Sequence, residues 1–306
     1  MLDYALLSAL AAVIRTGSFE RAAQQLHITP SAVSQRVKLL EERLGTVLVV
    51  RGSPCTGTPG GLRLCQHVEQ VALLESDLRH EWPGMGQGDG EGAPVTVRIA
   101  VNADSLATWF IAAMAGAEGC LFDLVLDDQD HSADWLRRGE VLAAVTSSPH
   151  PVQGCDSTPL GSLRYIATSS PAFMARHFAD GVTLDALARA PRLTFNTKDR
   201  LQSQWIRQVF GADIPSPTHW LPSSQAFVDG ALAGLGWGMN PETLVAGALR
   251  ENRLVALVPG QPLDVPLFWQ RSRIASRRLD SLTRAVMRSA EKYLVLQDIE
   301  IDEPFS

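Results

Sequence analysis

The stretch that most constrains the fold is residues 19–45, whose pattern predicts two helices joined by a tight turn. Ser18 is a candidate N-cap for the first helix, because its side-chain oxygen can accept hydrogen bonds from free backbone amides and apolar residues follow at helical spacing. Thr29 is a second N-cap candidate, with Pro30 at the first helical position, where the missing amide costs nothing. The pattern therefore predicts a helix-turn-helix close to the N-terminus.

The second predicted helix has an apolar face and a polar face. Its apolar residues recur at steps of four and three and predict a buried stripe of Val33, Val37, Leu40 and Leu44. A helix-turn-helix places the N-terminal part of its second helix in the major groove of DNA, where Ser, Gln and Arg side chains can pair with base edges. Lys38 and Arg43 lie further along, where contacts with phosphates are expected. The candidate base-reading residues are Ser31, Ser34, Gln35 and Arg36, beside the cap residue Thr29.

On spacing alone, an amphipathic helical pair with a solvated polar face is an equal alternative. The residues themselves favour DNA binding: Phe19-Glu-Arg-Ala-Ala-Gln-Gln-Leu26 and the segment from Thr29 to Gly45 resemble the winged helix-turn-helix of LysR-type transcriptional regulators. The residues at 47–51 predict a strand and those at 52–61 a loop, and the resemblance implies that this region is the wing. Arg51 stands in the place of an arginine that follows the first wing strand, which makes it a further candidate DNA contact.

Charge is distributed unevenly along the chain. The net charge of −6 by itself argues against a nucleic-acid partner. Residues 1–65, however, carry seven Lys/Arg and four Asp/Glu, whereas residues 66–306 carry twenty and twenty-nine. A weakly basic head on an acidic body is typical of a DNA-binding domain joined to a sensor. Because the head is only mildly basic, we expect its DNA affinity to depend on dimers or higher oligomers.

Composition argues against several other classes of protein. The four cysteines form no C-x-x-C pair and no histidine cluster lies near them, so we expect reduced thiols, no metal site and no disulfide framework. No apolar run reaches the roughly 20 residues of a membrane span, and Asp3 and Arg15 interrupt the N-terminal segment where a signal peptide would lie. We expect a cytoplasmic protein with no membrane contact, no catalytic residues and no cofactor beyond a small-molecule effector.

Residues 62–82 predict a long helix that joins two domains. Its apolar stripe consists of Leu64, Val68, Val71, Leu74 and Leu78. Such a stripe can pack against its own domain, but on a connecting helix with no obvious internal partner it favours the seam of a dimer. The glycine-rich segment 83–92 predicts a flexible hinge. The helix also matches the linker helix of LysR-type regulators in position.

From about residue 93, strands and helices alternate up to a last helix at 277–296. This alternation predicts an α/β architecture with largely parallel sheets. The resemblance implies two Rossmann-like subdomains, a periplasmic-binding-protein-like arrangement with a ligand cleft between them. We predict an all-α winged helix-turn-helix DNA-binding domain at 1–61, a linker helix and hinge at 62–92, and an effector-binding domain at 93–306. Its first subdomain is expected at 93–164 plus 266–306, and its second at 165–265.

Polar residues follow the first three predicted strands of this domain, where α/β domains place their ligands. The candidate effector-binding residues are Asn102, Asp104 and Ser105 after the first strand, Asp127 and Asp128 after the second, Thr146 and Ser147 after the third, and Asn196 further along. The hydroxyl and amides near Ser105 suit a carboxylate, and the aspartates suit an ammonium or guanidinium. Alone, each hydroxyl-bearing strand end is better explained by a cap or a turn, and a solvated loop is an equal alternative for the aspartates. Together they favour a basic amino acid.

Four segments make the family resemblance more specific. Residues 101–109, 137–141, 170–173 and 224–228 look like the effector domain of the ArgP/LysG subgroup of LysR-type regulators, and so does the order Ser34-Gln-Arg36. The resemblance implies a regulator that senses lysine or arginine and controls an amino-acid exporter or related metabolic genes. It also implies a homodimer or homotetramer on a double-stranded DNA operator, with RNA polymerase as a further candidate partner.

The segment 196–200 departs from the subgroup pattern, because Lys198 and Arg200 place cations near the expected cleft. These side chains would contact an effector carboxylate or weaken the preference for a cationic ligand. A second hypothesis, from another class, is an amino-acid-binding protein or an enzyme of amino-acid metabolism with an incidental helical head. The sequence contains no nucleophile elbow, P-loop or H-E-x-x-H motif to support it. Turnover of a basic amino acid by the purified protein would support this hypothesis.

Overall fold

The computed structural model describes residues 3–81, 95–127, 132–273 and 277–296. The predicted hinge at 83–92 and the candidate residue Asp128 lie outside the described residues. Within the ranges above, no helix is both long enough and apolar enough to cross a membrane.

Three helices surround the core of the N-terminal domain. They are α1 (Tyr4–Thr16), α2 (Phe19–Gln25) and α3 (Pro30–Leu44). The predicted N-caps are confirmed, because Ser18 Oγ and Thr29 Oγ1 each accept a hydrogen bond from a backbone amide in the first turn of the next helix. α1 and α3 end at Gly17 and Gly45, whose φ angles of 67° and 66° lie in the left-handed region that glycine tolerates best. Local sequence signals therefore set the ends of this helical unit.

The buried stripe of α3 is shorter than predicted. Its first three apolar residues are buried, whereas Leu44 is 43% exposed, so the prediction for this residue is wrong. The core is closed at this end by Leu48, whose amide donates to the Glu41 carboxylate at 2.8 Å. The wing strands are also short, since β1 (Val49–Val50) pairs with β2 (Thr56–Gly57) over two residues where a strand at 47–51 was predicted.

The long helix α4 (Pro59–Glu81) begins three residues earlier than predicted. Thr58 accounts for this start, because its hydroxyl accepts from the Gly61 amide at 3.2 Å and donates to the Val47 carbonyl at 2.9 Å. Gly61 is needed for the close approach of helix and wing. A Cβ at this position would lie 2.1 Å from the carbonyl oxygen of Leu48, which itself accepts the amide of Thr58. The helix start and the wing are therefore built as one unit.

The substitution Gly61→Ala is expected to lower the stability of the N-terminal domain by about 1–3 kcal/mol, because the added methyl group overlaps a backbone carbonyl held by a hydrogen bond. Thermal unfolding of the full chain and its affinity for duplex DNA would both be measured, and both should fall. Gly60→Ala is the matched control, since the nearest atom to a Cβ there is at 3.6 Å. Equal melting temperatures for the two variants would contradict this account of the wing.

Part of the predicted dimer stripe on α4 has an internal partner. Leu64 and Val68 are half-buried and pack against the core of the N-terminal domain, because α4 lies beside α1. The expectation that the stripe lacks an internal partner is therefore wrong at this end. Val71 is also half-buried, and the side chains of Leu74 and Leu78 lie outside the described residues.

The remaining elements form the α/β region, where the predicted alternation of strands and helices is confirmed and the last helix ends three residues before its predicted end. The strands are β3 (Val95–Val101), β4 (Cys120–Leu126), β5 (Ala143–Thr146), β6 (Cys155–Ser169), β7 (Arg192–Thr194), β8 (Thr218–Trp220), β9 (Gly238–Pro241), β10 (Val255–Ala256) and β11 (Leu263–Ser272). The helices are α5 (Ala103–Ser105), α6 (Ile111–Ala115), α7 (Ser132–Arg137), α8 (Pro171–His177), α9 (Leu184–Arg189), α10 (Leu201–Phe210), α11 (Ser224–Leu232), α12 (Glu242–Arg250) and α13 (Arg277–Tyr293), with a π-helical segment (Leu106–Phe110) between α5 and α6.

One mixed sheet runs through the α/β region. Its strand order is β10-β6-β11-β5-β3-β4, and β9 also pairs with β6. β3 is parallel to both β4 and β5, and a separate pair, β7 and β8, is parallel as well. Every pairing of β6 and β11 is antiparallel, so the expectation of largely parallel sheets is wrong for the middle of the region. The two halves of the region are defined by the two predicted subdomains, 93–164 plus 266–306 and 165–265. β11 brings the chain back from the second half into the first and runs antiparallel to its neighbours β5 and β6.

The long strands β6 and β11 join the two halves of the region. Arg164 on β6 binds the Asp264 carboxylate on β11 through two parallel hydrogen bonds, both of 2.7 Å. One apolar core extends through both halves and includes the fully buried side chains of Trp109, Trp205, Trp237 and Trp269. These strands hold the ends of β3 and β4 opposite the segment that follows β7.

Candidate functional site

The first candidate surface is the N-terminal part of α3. Thr29, Ser31, Gln35 and Lys38 are exposed there, and Ser34 and Arg36 are half-buried. The hydroxyl groups of Thr29 and Ser31 lie 3.0 Å apart, and Thr29 Oγ1 also accepts the Ala32 amide at 3.2 Å. The cap therefore fixes the position of the first side chains on this face. The structure brings all the predicted base-reading residues to one helix end.

Two of the predicted basic contacts have partners within the domain. Lys38 Nζ lies 3.7 Å from Glu42 Oε1 on the next turn of α3, and both side chains are exposed. An exposed pair of this kind is weak and is easily exchanged for a phosphate. The Arg51 guanidinium lies over the ring of Phe19, 5.3 Å from its centroid, which holds the wing arginine against the start of α2.

The second candidate site is a cavity of about 170 Å³ between the two halves of the α/β region. This volume is about ten times the roughly 10–15 Å³ that one water molecule requires. The lining residues come from the ends of β3 and β4, the segment between β7 and α10, the first turns of α10 and α11, and the strands β9 and β11. They are Asn102, Ala103, Asp104, Leu126, Asp127, Phe195, Asn196, Asp199, Arg200, Leu201, Gln204, Ser224, Phe227, Met239, Asn240, Pro241 and Val265.

The cavity brings together half of the eight residues predicted to bind an effector. Asn102, Asp104, Asp127 and Asn196 line it, whereas Ser105, Thr146 and Ser147 do not. Ser105 is fully buried, and its amide already donates to Asn102 Oδ1 at 2.7 Å. Thr146 is also fully buried, and its hydroxyl accepts the amide of Ser148. Asp128, the remaining candidate, is outside the part of the chain described.

Asp104 is the most unusual group in the cavity wall. Its carboxylate accepts hydrogen bonds from Ser224 Oγ at 2.6 Å and from the Tyr165 hydroxyl at 2.9 Å, and no basic side chain contacts it among the described residues. Burial raises the pKa of this carboxyl, the two hydroxyl donors lower it, and the nearby Asp199 charge raises it further. Since the hydroxyl groups only partly compensate burial, a cation is the ligand chemistry that would stabilise Asp104.

A second carboxylate faces the cavity from the end of β4. Asp127 Oδ2 accepts a hydrogen bond from Trp135 Nε1 at 2.9 Å, and Oδ1 lies 3.1 Å from Lys198 Nζ across the cleft. Asp199 is a third carboxylate in the lining, although it is held by amides of its own loop, including that of Phe195 at 2.9 Å. Arg200 is the basic side chain among the lining residues. The lining thus carries three acidic groups and one basic group.

The rest of the cavity wall combines apolar surface with an unused hydrogen-bond acceptor. Phe195, Phe227 and Met239 provide apolar surface. Asn240 is fully buried, and its amide nitrogen donates to Thr168 Oγ1 at 2.9 Å. The side-chain oxygen Oδ1 of Asn240 has no hydrogen-bond partner among the described residues. A buried acceptor without a partner at a cavity suggests that a donor on a ligand completes it.

Sequence reasoning missed several lining residues from the second half of the region. Asp199, Ser224, Phe227 and Asn240 were not among the candidates, because no local motif marks them. One signal was present: Ser224 and Phe227 fall in the segment 224–228 that carries the subgroup resemblance. Gly238 also contributes, since a Cβ at that position would lie 2.3 Å from Cε1 of Phe227 and displace its ring.

Comparisons with known proteins match both parts of the chain. Residues 4–62 match the family model described as bacterial regulatory helix-turn-helix protein, lysR family, and residues 90–291 match the LysR substrate binding domain. The HTH-type transcriptional regulator LysG of Mycobacterium tuberculosis is 46% identical over 289 residues, 94% of each chain. The crystal structure of ArgP from Mycobacterium tuberculosis has a TM-score of 0.80 at 44% identity, covering 97% of this chain and 100% of that one.

A further solved structure has a ligand bound. Full-length LysG from Corynebacterium glutamicum with bound effector Arg has a TM-score of 0.68 at 36% identity, covering 96% of this chain and 100% of that one. The similarity to these proteins extends over both the helical head and the α/β region.

Proposed function

This chain belongs to the LysR family of bacterial helix-turn-helix transcriptional regulators, and we propose that its cavity binds a basic amino acid, lysine or arginine, as the effector. As a member of that family, the chain is a DNA-binding regulator of transcription. Membership favours regulation of transcription over the alternative hypothesis of an enzyme or a simple amino-acid-binding protein.

The observation that carries the proposal is the Asp104 carboxylate, which lines the cavity without a cationic partner among the described residues. The lining has more acidic than basic groups, and a ligand without a cation would leave the Asp104 carboxylate uncompensated. A lysine ammonium or an arginine guanidinium supplies the missing charge through charge-assisted hydrogen bonds.

The remaining features of a basic amino acid also have matching groups. The methylene stem suits the apolar surface of Phe195, Phe227 and Met239. We assign the α-carboxylate to Arg200, because its guanidinium can bind a carboxylate through two hydrogen bonds whereas the Ser105 amide is already used as part of a helix cap. The arginine bound in Corynebacterium glutamicum LysG supports the same ligand class.

The position of the cavity suggests how the effector acts. Asp104 and Asp127 belong to one half of the region, whereas Arg200 and Asn240 belong to the other. A ligand that contacts both halves binds their closed arrangement more tightly than an open one and shifts the population towards it. In a dimer or tetramer, this shift would change the spacing of the paired helix-turn-helix domains.

The proposed partners follow from this arrangement. α3 reads a double-stranded operator through Ser31, Ser34, Gln35 and Arg36, while Lys38 and Arg51 contact phosphates. The part of the α4 stripe from Val71 onwards pairs two protomers. The target genes encode an amino-acid exporter or related metabolic enzymes, with RNA polymerase as a further partner. Because its target is genomic DNA, the protein acts in the cytoplasm.

Footprinting on an operator tests this function. The operator would be selected from random duplexes with the full-length protein and then footprinted with lysine, with arginine and with norleucine, which lacks the side-chain cation. The expected result is that lysine or arginine changes the protected region or changes the affinity about 5–150-fold, the usual range of allosteric coupling. A footprint and an affinity that are the same with and without these amino acids would contradict the proposal.

A further inference from the structure

Lys198 places a lysine ammonium at the mouth of the cavity. Its Nζ lies 3.1 Å from Asp127 Oδ1, and the Lys198 and Asp127 side chains are 46% and 21% exposed. Asp127 follows β4 in one half of the region, and Lys198 precedes α10 in the other. Asp127 lines the cavity, whereas Lys198 does not. The ion pair therefore spans the cleft and uses one of the carboxylates that a cationic ligand needs.

We propose that Lys198 is a built-in competitor of the effector: the side-chain cation of a basic amino acid binds Asp104 and Asp127 together, and the Lys198 ammonium occupies its position at Asp127. This inference rests on the proposed function, since it requires a cationic effector in the same cavity. Effector binding then requires the Lys198–Asp127 pair to open.

The surroundings of Asp127 make the two cations mutually exclusive. Trp135 Nε1 donates to Oδ2 at 2.9 Å, which fixes the orientation of the carboxylate and directs Oδ1 to Lys198. A second cation brought to Oδ1 would lie close to the first and be repelled by it. The Lys198 ammonium and the effector cation therefore compete for one oxygen.

The loop allows the Lys198 side chain to leave while its backbone stays in place. Asn196 Oδ1 accepts the amides of Lys198 and Asp199 at 2.7 and 3.1 Å, which fixes the turn that carries the lysine. The side chain is long and nearly half exposed, so its ammonium can return to water at small cost. Opening of the pair is thus a local side-chain movement at the cavity mouth.

This competition has two consequences for regulation. The apparent affinity for the effector is the intrinsic affinity multiplied by the fraction of molecules in which the pair is open, so Lys198 raises the concentration at which the regulator responds. An amino acid with an uncharged side chain offers no side-chain cation to replace the ammonium at Asp127, so the pair also selects for basic ligands. The competing assignment is that Lys198 binds the effector carboxylate directly, and it predicts the opposite effect of removing the lysine.

Calorimetric titration of L-lysine into full-length variants distinguishes these roles. Lys198→Ala is expected to bind L-lysine about 2–5-fold more tightly than the unmodified protein, the range of a partly exposed ion pair. Arg176→Ala is the matched control, because Arg176 is an exposed cation of the same half that does not line the cavity. It should leave the affinity unchanged. In an Asp127→Asn background the effect of Lys198→Ala should disappear, because the carboxylate for which the two cations compete is absent.

Weaker or unchanged binding of L-lysine by Lys198→Ala would overturn the inference while leaving the proposed function intact. An equal tightening of L-lysine binding by Arg176→Ala would also overturn the inference, because the effect would then come from the net charge of the protein and not from the Lys198–Asp127 pair. If the unmodified protein binds neither lysine nor arginine, the proposed function fails and the competitor role fails with it.

Discussion

Asp104→Asn is expected to weaken the binding of lysine and arginine by about 10–100-fold, the loss that follows when a charge-assisted hydrogen bond becomes a neutral one. Asparagine keeps the size of the side chain and can still contact Ser224 and Tyr165, but it offers a ligand cation no charge. Asp134→Asn is the matched control, because Asp134 pairs with Arg137 and does not line the cavity. It should bind both amino acids normally.

The same substitution is expected to leave the ligand-free protein at least as stable at neutral pH. Burial raises the pKa of Asp104 above its unfolded value, so the group contributes stability when protonated at low pH and loses that contribution as pH rises through its folded pKa. The asparagine variant has no such loss. Thermal unfolding at several pH values should show that the melting temperature of the variant increases relative to that of the unmodified protein as pH rises. A large fall in melting temperature at neutral pH would show that the charge of Asp104 is needed for the fold.

Arg36→Ala is expected to weaken binding to a selected operator by about 10–100-fold and to weaken binding to random duplex much less, because a base-edge contact carries about 1–3 kcal/mol of discrimination. Arg36 lies on the half-buried flank of the DNA-facing end of α3 and forms no ion pair within the described residues. Fluorescence anisotropy with the two duplexes at the same salt concentration would measure the difference.

Lys38→Ala is the control for Arg36→Ala, since a phosphate contact should weaken binding to both duplexes alike and reduce the salt dependence. If Arg36→Ala also weakens both duplexes equally, Arg36 is a phosphate contact, and operator specificity must come from Ser31, Ser34 and Gln35 instead.

The helical head could be predicted from sequence because its signals are local. Ser18, Thr29 and Pro30 mark helix starts within a few residues of the turns they form, and the structure follows them. Leu44 was misassigned because its exposure depends on Leu48, which reaches the core from beyond the helix end. Periodicity within one helix contains no information about that contact.

The cavity could be predicted only in part, because it is assembled from distant segments. The rule that polar residues at strand ends meet at a cleft located Asn102, Asp104 and Asp127 correctly beside one cavity. It also placed Thr146 and Ser147 there, but neither residue lines the cavity, because Gln270 of β11 covers the end of β5 by donating to the Ser148 carbonyl at 3.0 Å. Neither the contact of Gln270 with Ser148 nor that of Ser224 with Asp104 can be recognised from the local sequence.

The most direct test of the account is calorimetric titration of the full-length protein with L-lysine, L-arginine, L-norleucine and L-glutamate. The cavity, with three carboxylates, one guanidinium and an apolar wall, predicts measurable binding of lysine or arginine. Norleucine, which keeps the stem and the backbone groups of lysine without its side-chain cation, should bind at least about tenfold more weakly, and glutamate should not bind. Binding of norleucine as tight as that of lysine, or no binding of either basic amino acid, would contradict the account.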